Sequence, residues 1–168
     1  MQRWLVLVRH TTAEVEPVGP SGGDGDFRRV LTVPGLDEAA KLGRALSSWL
    51  GDEPIDAVFT SHAHRAVLTW AQMSRVASLA PRSGVFLESS IYNGGLEALK
   101  LLAAGWDPAW SRVVVIGHQK KALGKAPQTL SSTGDRLEVA QGAILSRDAP
   151  DWASALDETD WHRAPLLP

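Results

Sequence analysis

Two arginines and two histidines in this sequence stand where their side chains could bind one anion together. Arg9 and His10 follow directly on an apolar run. Arg65 stands at the predicted start of a helix, and His118 follows a second apolar run. Guanidinium groups match phosphate oxygens in a bidentate geometry, and an imidazole with an unprotonated ring nitrogen can attack phosphorus and form a covalent intermediate. The four residues therefore indicate a pocket for a small, doubly charged anion such as phosphate.

Each histidine taken alone is weak evidence, because a single histidine after a strand is more often structural than catalytic. The joint pattern is stronger, since the four basic residues follow three separate predicted strands. A zinc site made from His10, His118 and an aspartate is an alternative, but the neighbouring arginines would oppose a cation. We expect His62 and His64 at the rim of the pocket and His162 in an exposed tail.

The elements that must position these residues alternate along the chain. Buried strands are predicted over 4–8, 56–60, 85–88 and 112–116 from their apolar and β-branched runs. Helices are predicted over 36–50, from 61–65 onward and over 95–104. This alternation predicts an α/β fold with a mainly parallel sheet. In such sheets ligands bind beyond the carboxyl ends of the strands, where the four basic residues are predicted to lie.

Finer expectations concern single elements. Thr32 is expected to cap the first helix, Pro34 to stand in its first turn with Leu36 on the inner face, and Gly51 to end it. The second helix is expected to turn Ala66, Trp70, Met73 and Ala77 inward. The remaining expectations are a surface excursion over 15–25, a loop over 89–94, a hairpin of 137–140 with 143–146, and a tail from 148 with a short helix and a strap over the surface.

Composition excludes several classes of protein. The chain has 168 residues, 44% of them hydrophobic and 21% charged, which predicts one domain over 1–168. A formal net charge of -2 argues against nucleic acid or an anionic membrane as partner. The absence of cysteine excludes disulfides and thiolate catalysis. No segment has the length of a signal peptide core or a membrane span, so we expect a cytoplasmic protein.

Four ordered segments resemble the histidine phosphatase superfamily. They are LVRH at 7–10, DFRRVLT at 26–32 with Gly35 after it, TSHAHRA at 60–66 and VIGH at 115–118. Within the superfamily, the short chain and the spacing are most similar to the SixA-type phosphohistidine phosphatases. The resemblance implies a phosphoglycerate mutase-like, three-layer α/β/α fold with a mostly parallel central sheet.

The resemblance also implies roles for single residues. His10 is similar to the nucleophile of the family, and His118 to the second histidine, which binds the transferring group. Arg9 and Arg65 match the two arginines that hold phosphate. Asp26 stands where SixA-type proteins have an acidic residue, which makes it the candidate for protonating the leaving group.

Further residues are candidates for contact with the substrate. Arg29 matches a loop arginine of the family, and Thr11 and Gln119 adjoin the two histidines. Glu88 could supply the acid in place of Asp26, since larger relatives use a glutamate from another segment.

The chain departs from the family pattern at three places. Thr11 replaces a small residue, His62 replaces a proline, and Gln119 with Lys120 replaces an Asn-Pro pair. Together with Lys121, the last change alters the wall beside His118 and leaves the substrate preference open.

These observations predict a metal-independent phosphatase that needs no cofactor. The expected partner is a phosphorylated protein carrying phosphohistidine or a small phosphorylated substrate, and the expected state is a monomer. Two alternatives remain open: a phosphatase of a small metabolite or nucleotide, and a non-enzymatic module that binds phospholigands.

Overall fold

The structure is a computed structural model that describes residues 1–15, 25–118 and 123–166. Six strands in these ranges form one sheet: β1 (Gln2–Arg9), β2 (Ala57–Thr60), β3 (Val85–Leu87), β4 (Arg112–Gly117), β5 (Gly142–Asp148) and β6 (His162–Pro165). The helices in the same ranges are α1 (Gly25–Arg28), α2 (Val33–Leu50), α3 (His64–Ala77), α4 (Ser90–Asn93), α5 (Gly95–Ala103), α6 (Ala126–Ser131) and α7 (Trp152–Leu156), with a 3-10 turn at Leu123–Lys125. None of these helices combines the length and the apolar character that a bilayer crossing requires.

The strand order places the predicted site at the centre of the sheet. The order is β3-β2-β4-β1-β5-β6, so β1 and β4 are central neighbours. Strands β1 to β4 pair in parallel, whereas β5 pairs antiparallel with both β1 and β6. The predicted α/β class with a mostly parallel sheet is confirmed. Because parallel strands end at one edge, the ends of β1, β2 and β4 meet there.

Helices cover both faces of the sheet. Leu5 and Leu7 of β1 belong to one core cluster, together with residues of α5 and α7. Val6 and Val8 belong to a second cluster, together with residues of α2 and α3. Successive residues of a strand point to opposite faces, and all four are nearly inaccessible to solvent. The result is the three-layer arrangement, in which β1 is held rigidly from both sides.

Helix α2 begins and ends as predicted. The Thr32 hydroxyl accepts a hydrogen bond from a backbone N–H of the first turn, Pro34 lies in that turn, and Gly51 ends the helix with φ of 58°. A glycine adopts this left-handed conformation without a steric cost. Leu36 was expected on the inner face but is 37% exposed, because the buried stripe of the helix starts at Gly35 instead.

Helices α2 and α3 approach each other closely. A Cβ atom on Gly43 would lie 2.5 Å from the carbonyl oxygen of Met73, so only a glycine fits this position. The predicted inner face of α3 is confirmed for Ala66, Trp70 and Met73, which are buried, while Ala77 is half-buried. This contact holds α3, the helix whose first turn carries Arg65, closely against α2.

The predicted hairpin between 137–140 and 143–146 is wrong. Strand β5 pairs with β1 over seven residue pairs and with β6 on its other side. Residues 137–140 form a turn in which the backbone N–H of Ala140 donates to the carbonyl of His10 at 3.3 Å. The central strand β1 has an edge that must be paired, and satisfying those backbone groups outweighs a local hairpin.

Two other expectations need correction. The segment predicted as a loop over 89–94 contains α4, whose Ile91 is buried. The short helix predicted in the tail is confirmed as α7, but the strap after it is the strand β6, paired with β5. Trp161, at the start of this strap, is only 2% exposed and packs in the core, which explains why the tail joins the sheet.

Candidate active site

The two histidines lie side by side at the carboxyl ends of β1 and β4. The register pairs Arg9 with Gly117, and the backbone N–H of His10 donates to the Gly117 carbonyl at 3.0 Å. The ring centroids of His10 and His118 are 5.0 Å apart, and the residues are 8% and 6% exposed. The parallel pairing therefore brings together two imidazoles that are 108 positions apart in the sequence.

His10 has one ring nitrogen occupied and the other available. Its Nδ1 lies 2.8 Å from the carbonyl oxygen of Thr11, which can only accept, so Nδ1 carries the proton of the neutral ring. Burial and, to a smaller extent, the charges of Arg65 and Arg9 lower the pKa of His10 to about 4. At neutral pH the ring is therefore uncharged, and Nε2 presents a lone pair.

The Thr11 peptide is itself held in place. Thr69 Oγ1 accepts a hydrogen bond from the Thr11 backbone N–H at 3.1 Å and donates to the carbonyl of Arg65 at 2.7 Å. Both threonines are fully buried. Thr69 thus links Thr11, whose carbonyl orients the His10 ring, to the first turns of α3.

His118 is a second neutral imidazole. Its Nε2 lies 2.8 Å from Ser61 Oγ, and its buried Nδ1 has no hydrogen-bond partner among the described residues. Burial is the largest cause that lowers the pKa of His118 to about 3, and the neighbouring His10 and Arg65 contribute in the same direction. An unsatisfied, buried polar atom in a cavity points to a ligand contact.

The guanidinium of Arg65 is bound to Asp26. Arg65 Nη2 lies 2.9 Å from Asp26 Oδ2 and Arg29 Nη1 lies 3.1 Å from Asp26 Oδ1, and the Tyr92 hydroxyl donates to Oδ2. Burial acts to raise the pKa of Asp26, but the hydrogen bonds from Tyr92 and both arginines outweigh it and hold the pKa far below its usual range. Asp26 is therefore a carboxylate in this structure.

Arg9 approaches the pocket from the other side. Its Nη1 lies 3.3 Å from Oε2 of Glu138 and 3.4 Å from the carbonyl oxygen of Leu137, and its buried Nε has no partner in the described part of the chain. The side chain is mostly buried, while Glu138 is exposed. A long, solvent-facing pair of this kind is weak, so an incoming anion can replace it.

A cavity of about 460 Å³ opens between these groups. Its lining includes six of the residues that were predicted for the site, namely Arg9, His10, Asp26, Arg29, Arg65 and His118. Cationic groups and neutral imidazoles face one space, which suits an anion with several acceptor oxygens. Within the described ranges, no group of three or more histidine, aspartate and glutamate side chains is placed to hold a metal ion.

Comparison with known proteins agrees with this geometry. Residues 5–83 match the model of the histidine phosphatase superfamily, branch 1. Over this segment the chain is similar to the histidine phosphatase superfamily. Through this family and its structural neighbours it is assigned to the phosphatase hydrolases. A search among curated proteins found no match.

Solved structures of phosphatases share the fold over nearly the whole chain. The SixA protein from Nakamurella multipartitia is 25% identical, with a TM-score of 0.71 over 99% of this chain and 95% of that one. The protein histidine phosphatase SixA bound to tungstate is 21% identical, with a TM-score of 0.72 over 99% and 97%. A mycobacterial glucosyl-3-phosphoglycerate phosphatase is 16% identical, with a TM-score of 0.65 over 98% of each chain. The last two structures are so distant in sequence that they support the fold alone.

Several candidate residues of this chain lie elsewhere than expected. Thr11 is fully buried and its carbonyl oxygen contacts the His10 ring, so its side chain does not line the cavity. Glu88 is not one of the described residues that line the cavity. His162 is exposed on β6, as expected. Gln119, Lys120, Lys121 and most of the excursion over 15–25 lie outside the described residues.

The sequence reasoning missed two residues of the site. Thr69 lies four residues after Arg65, on the same face of α3, so helical spacing could have pointed to it. Tyr92 lines the cavity and contacts Asp26. It lies in α4, which was predicted as a loop, and no local signal in the sequence indicates its position.

The low pKa of His10 predicts an unusual pH dependence for this phosphatase. Its nucleophilic form is the neutral one, which persists until the pH falls through about 4. An imidazole with an ordinary pKa would already be protonated at pH 5.5. We expect NMR titration of the ring to show a midpoint near 4, with the resonance assigned by its loss in His10→Gln. A midpoint close to that of a free imidazole would contradict the role of burial.

Proposed function

We propose that this chain is a metal-independent phosphatase that works through a phosphohistidine at His10 and acts on phosphohistidine in proteins, as the SixA resemblance suggests. One observation carries the proposal. The Thr11 carbonyl holds the Nδ1 proton of His10, so Nε2 is available as a nucleophile inside a cavity lined by arginines. A neutral nucleophile beside fixed positive charge is the arrangement that phosphoryl transfer needs.

The reaction proceeds in two displacements. His10 Nε2 attacks phosphorus in line, the new N–P bond forms, and the bond from phosphorus to the leaving group breaks with its electron pair on the leaving group. Arg9, Arg65 and His118 hold the phosphoryl oxygens and stabilise their charge. Water then attacks phospho-His10, which releases inorganic phosphate and restores the neutral ring. Positioning and preorganised charge supply most of the rate enhancement.

The state of Asp26 bears on the leaving group. As a carboxylate it has no proton to give, although it is the candidate acid. A bound phosphoryl group draws the hydrogen bonds of Arg65 and Arg29 away and adds negative charge nearby, and both changes raise the pKa of Asp26. A P–N substrate depends least on this proton, because an imidazole leaves more easily than an alkoxide. This favours phosphohistidine as the substrate.

Two rival functions have support of their own. The likeness to a glucosyl-3-phosphoglycerate phosphatase favours a small phosphorylated metabolite as substrate. The ionised Asp26 favours a module that binds phospholigands without turnover. Trapping of a phosphoryl group on His10 in a single turnover would contradict the binding module.

A comparison of two substrates tests the proposal. We expect kcat/KM for a phosphohistidine peptide to exceed that for glycerol 3-phosphate by about 10²-fold or more, since general acid catalysis contributes on that order to reactions with poor leaving groups. Release of inorganic phosphate is the measurement for both substrates. Equal values, or a preference for the ester, would favour the metabolite phosphatase.

Asp26→Asn is the matched variant for this comparison. It keeps the size of the side chain and cannot deliver a proton. We expect it to slow the phosphate ester more than the phosphohistidine peptide. An equal loss on both substrates would show that Asp26 organises Arg65 and does not protonate the leaving group.

A further inference from the structure

Three aromatic rings stack together, and one of them, Tyr92, lines the cavity. The Phe27 ring stacks on His62 with centroids 4.7 Å apart and on Tyr92 with centroids 4.5 Å apart. The centroids of His62 and Tyr92 are 6.0 Å apart, which is too close for them to lie on opposite faces of Phe27. Tyr92 also meets His118 edge-on at 5.0 Å. The rings therefore form a continuous path from His118 to the rim. We call Phe27, His62 and Tyr92 the aromatic rim.

The aromatic rim is not a buried core. Phe27 and Tyr92 are half-buried and His62 is exposed, and α1, which carries Phe27, has no buried residue. Rings that serve only to pack a helix against its neighbours are normally taken out of water. These incompletely buried rings are thus a feature of this chain that the proposed chemistry leaves unused.

Tyr92 of the aromatic rim is close to the position that the leaving group must occupy. In an in-line attack the leaving group is opposite His10 Nε2. The candidate acid Asp26 has to be within reach of that group, and its Oδ2 accepts a hydrogen bond from the Tyr92 hydroxyl. Phe27 directly follows Asp26 in the chain. Atoms beyond the scissile bond therefore lie near Tyr92, which lines the cavity and on which Phe27 stacks.

We propose that the aromatic rim is a subsite for a planar aromatic ring bonded directly to the phosphoryl group, such as the imidazole of phosphohistidine or the phenol ring of phosphotyrosine. This proposal rests on the proposed function, because the phosphoryl group has to occupy the pocket of His10 and Arg65. Aromatic pairs prefer offset or edge-on contacts at the spacings found here. A planar ring can join such a stack, whereas a saturated ring of the same size cannot.

Two non-hydrolysable phosphonates test the subsite without requiring turnover. Phenylphosphonate and cyclohexylphosphonate share the anionic group and have rings of similar size, but only the first is planar. Using calorimetry, we expect the wild-type protein to bind phenylphosphonate about three- to tenfold more tightly, the range that aromatic pairing supplies. Phe27→Leu and His62→Ala should each bring this ratio towards one.

Matched controls distinguish a failure of the subsite from a failure of the phosphate pocket. His64→Ala removes another exposed histidine near the rim and should keep the wild-type ratio. Equal affinity of the wild-type protein for both phosphonates, or loss of the ratio in His64→Ala as well, would overturn the subsite while the phosphate pocket stands. Failure of the wild-type protein to bind either phosphonate or inorganic phosphate would overturn the subsite and the proposed function together.

Discussion

Replacing His10 by alanine should lower kcat/KM on every phosphorylated substrate by about 10⁴-fold or more, because loss of a nucleophile removes the covalent route. The cavity would keep its arginines, so binding of inorganic phosphate should persist. Phosphate release measures the first effect and calorimetry the second. Single turnover with a radiolabelled phosphoryl donor should label the wild-type protein and leave the variant unlabelled.

His118→Ala is the control variant for His10→Ala. It removes a neighbouring imidazole of similar burial but leaves the nucleophile in place, so labelling of His10 should continue at a lower rate. If His10→Ala kept most of the activity, or if the label appeared on His118, the nucleophile would be assigned to the wrong residue.

Replacing Arg65 by alanine should lower kcat/KM by about 10²- to 10³-fold, the effect of removing one preorganised donor to a developing charge. Arg65 has a buried Nε with no partner in the described residues, and its two terminal nitrogens contact Asp26. A phosphoryl group would take over these donors. Lysine at this position keeps the charge and loses the bidentate fork, so Arg65→Lys should recover only part of the loss.

Arg75→Ala is the matched control for the Arg65 variants. Arg75 lies on the same helix, is exposed, and donates to Gln72, so its loss should leave kcat/KM within about twofold of wild type, as surface substitutions usually do. Full activity of Arg65→Lys would mean that charge alone is sufficient. Full activity of Arg65→Ala would remove Arg65 from the phosphate clamp.

Local sequence signals predicted the parts of the site that belong to regular elements. The buried runs of β1 and β4 placed Arg9, His10 and His118 at strand ends, because a strand buried on both faces must be apolar throughout. The end of β2 and the spacing of α3 placed Arg65 at a helix start. The structure brings these four residues around one cavity, as the parallel topology requires.

The errors in the prediction lie where a segment depends on distant partners. Strand β5 pairs with β1 and β6 and not with residues 137–140. Strand pairing depends on which backbone edges are still unpaired in the folded chain. Tyr92 reached the cavity through the short helix α4, and Thr69 contacts the peptide of Thr11 across 58 positions of sequence. The position of Tyr92 leaves no periodic trace in the sequence, and the helical spacing from Arg65 to Thr69 does not identify Thr11 as the partner.

The sequence by itself determined the class of fold and the basic residues at the strand ends, because burial periodicity and helix caps act within a few residues. Only the tertiary structure decided the chemical state of those residues. The Thr11 carbonyl selects the tautomer of His10, burial keeps both histidines neutral, and Tyr92 with two arginines keeps Asp26 ionised. These properties depend on solvent exclusion and on charges brought together through space, and neither is a property of a residue type or its spacing.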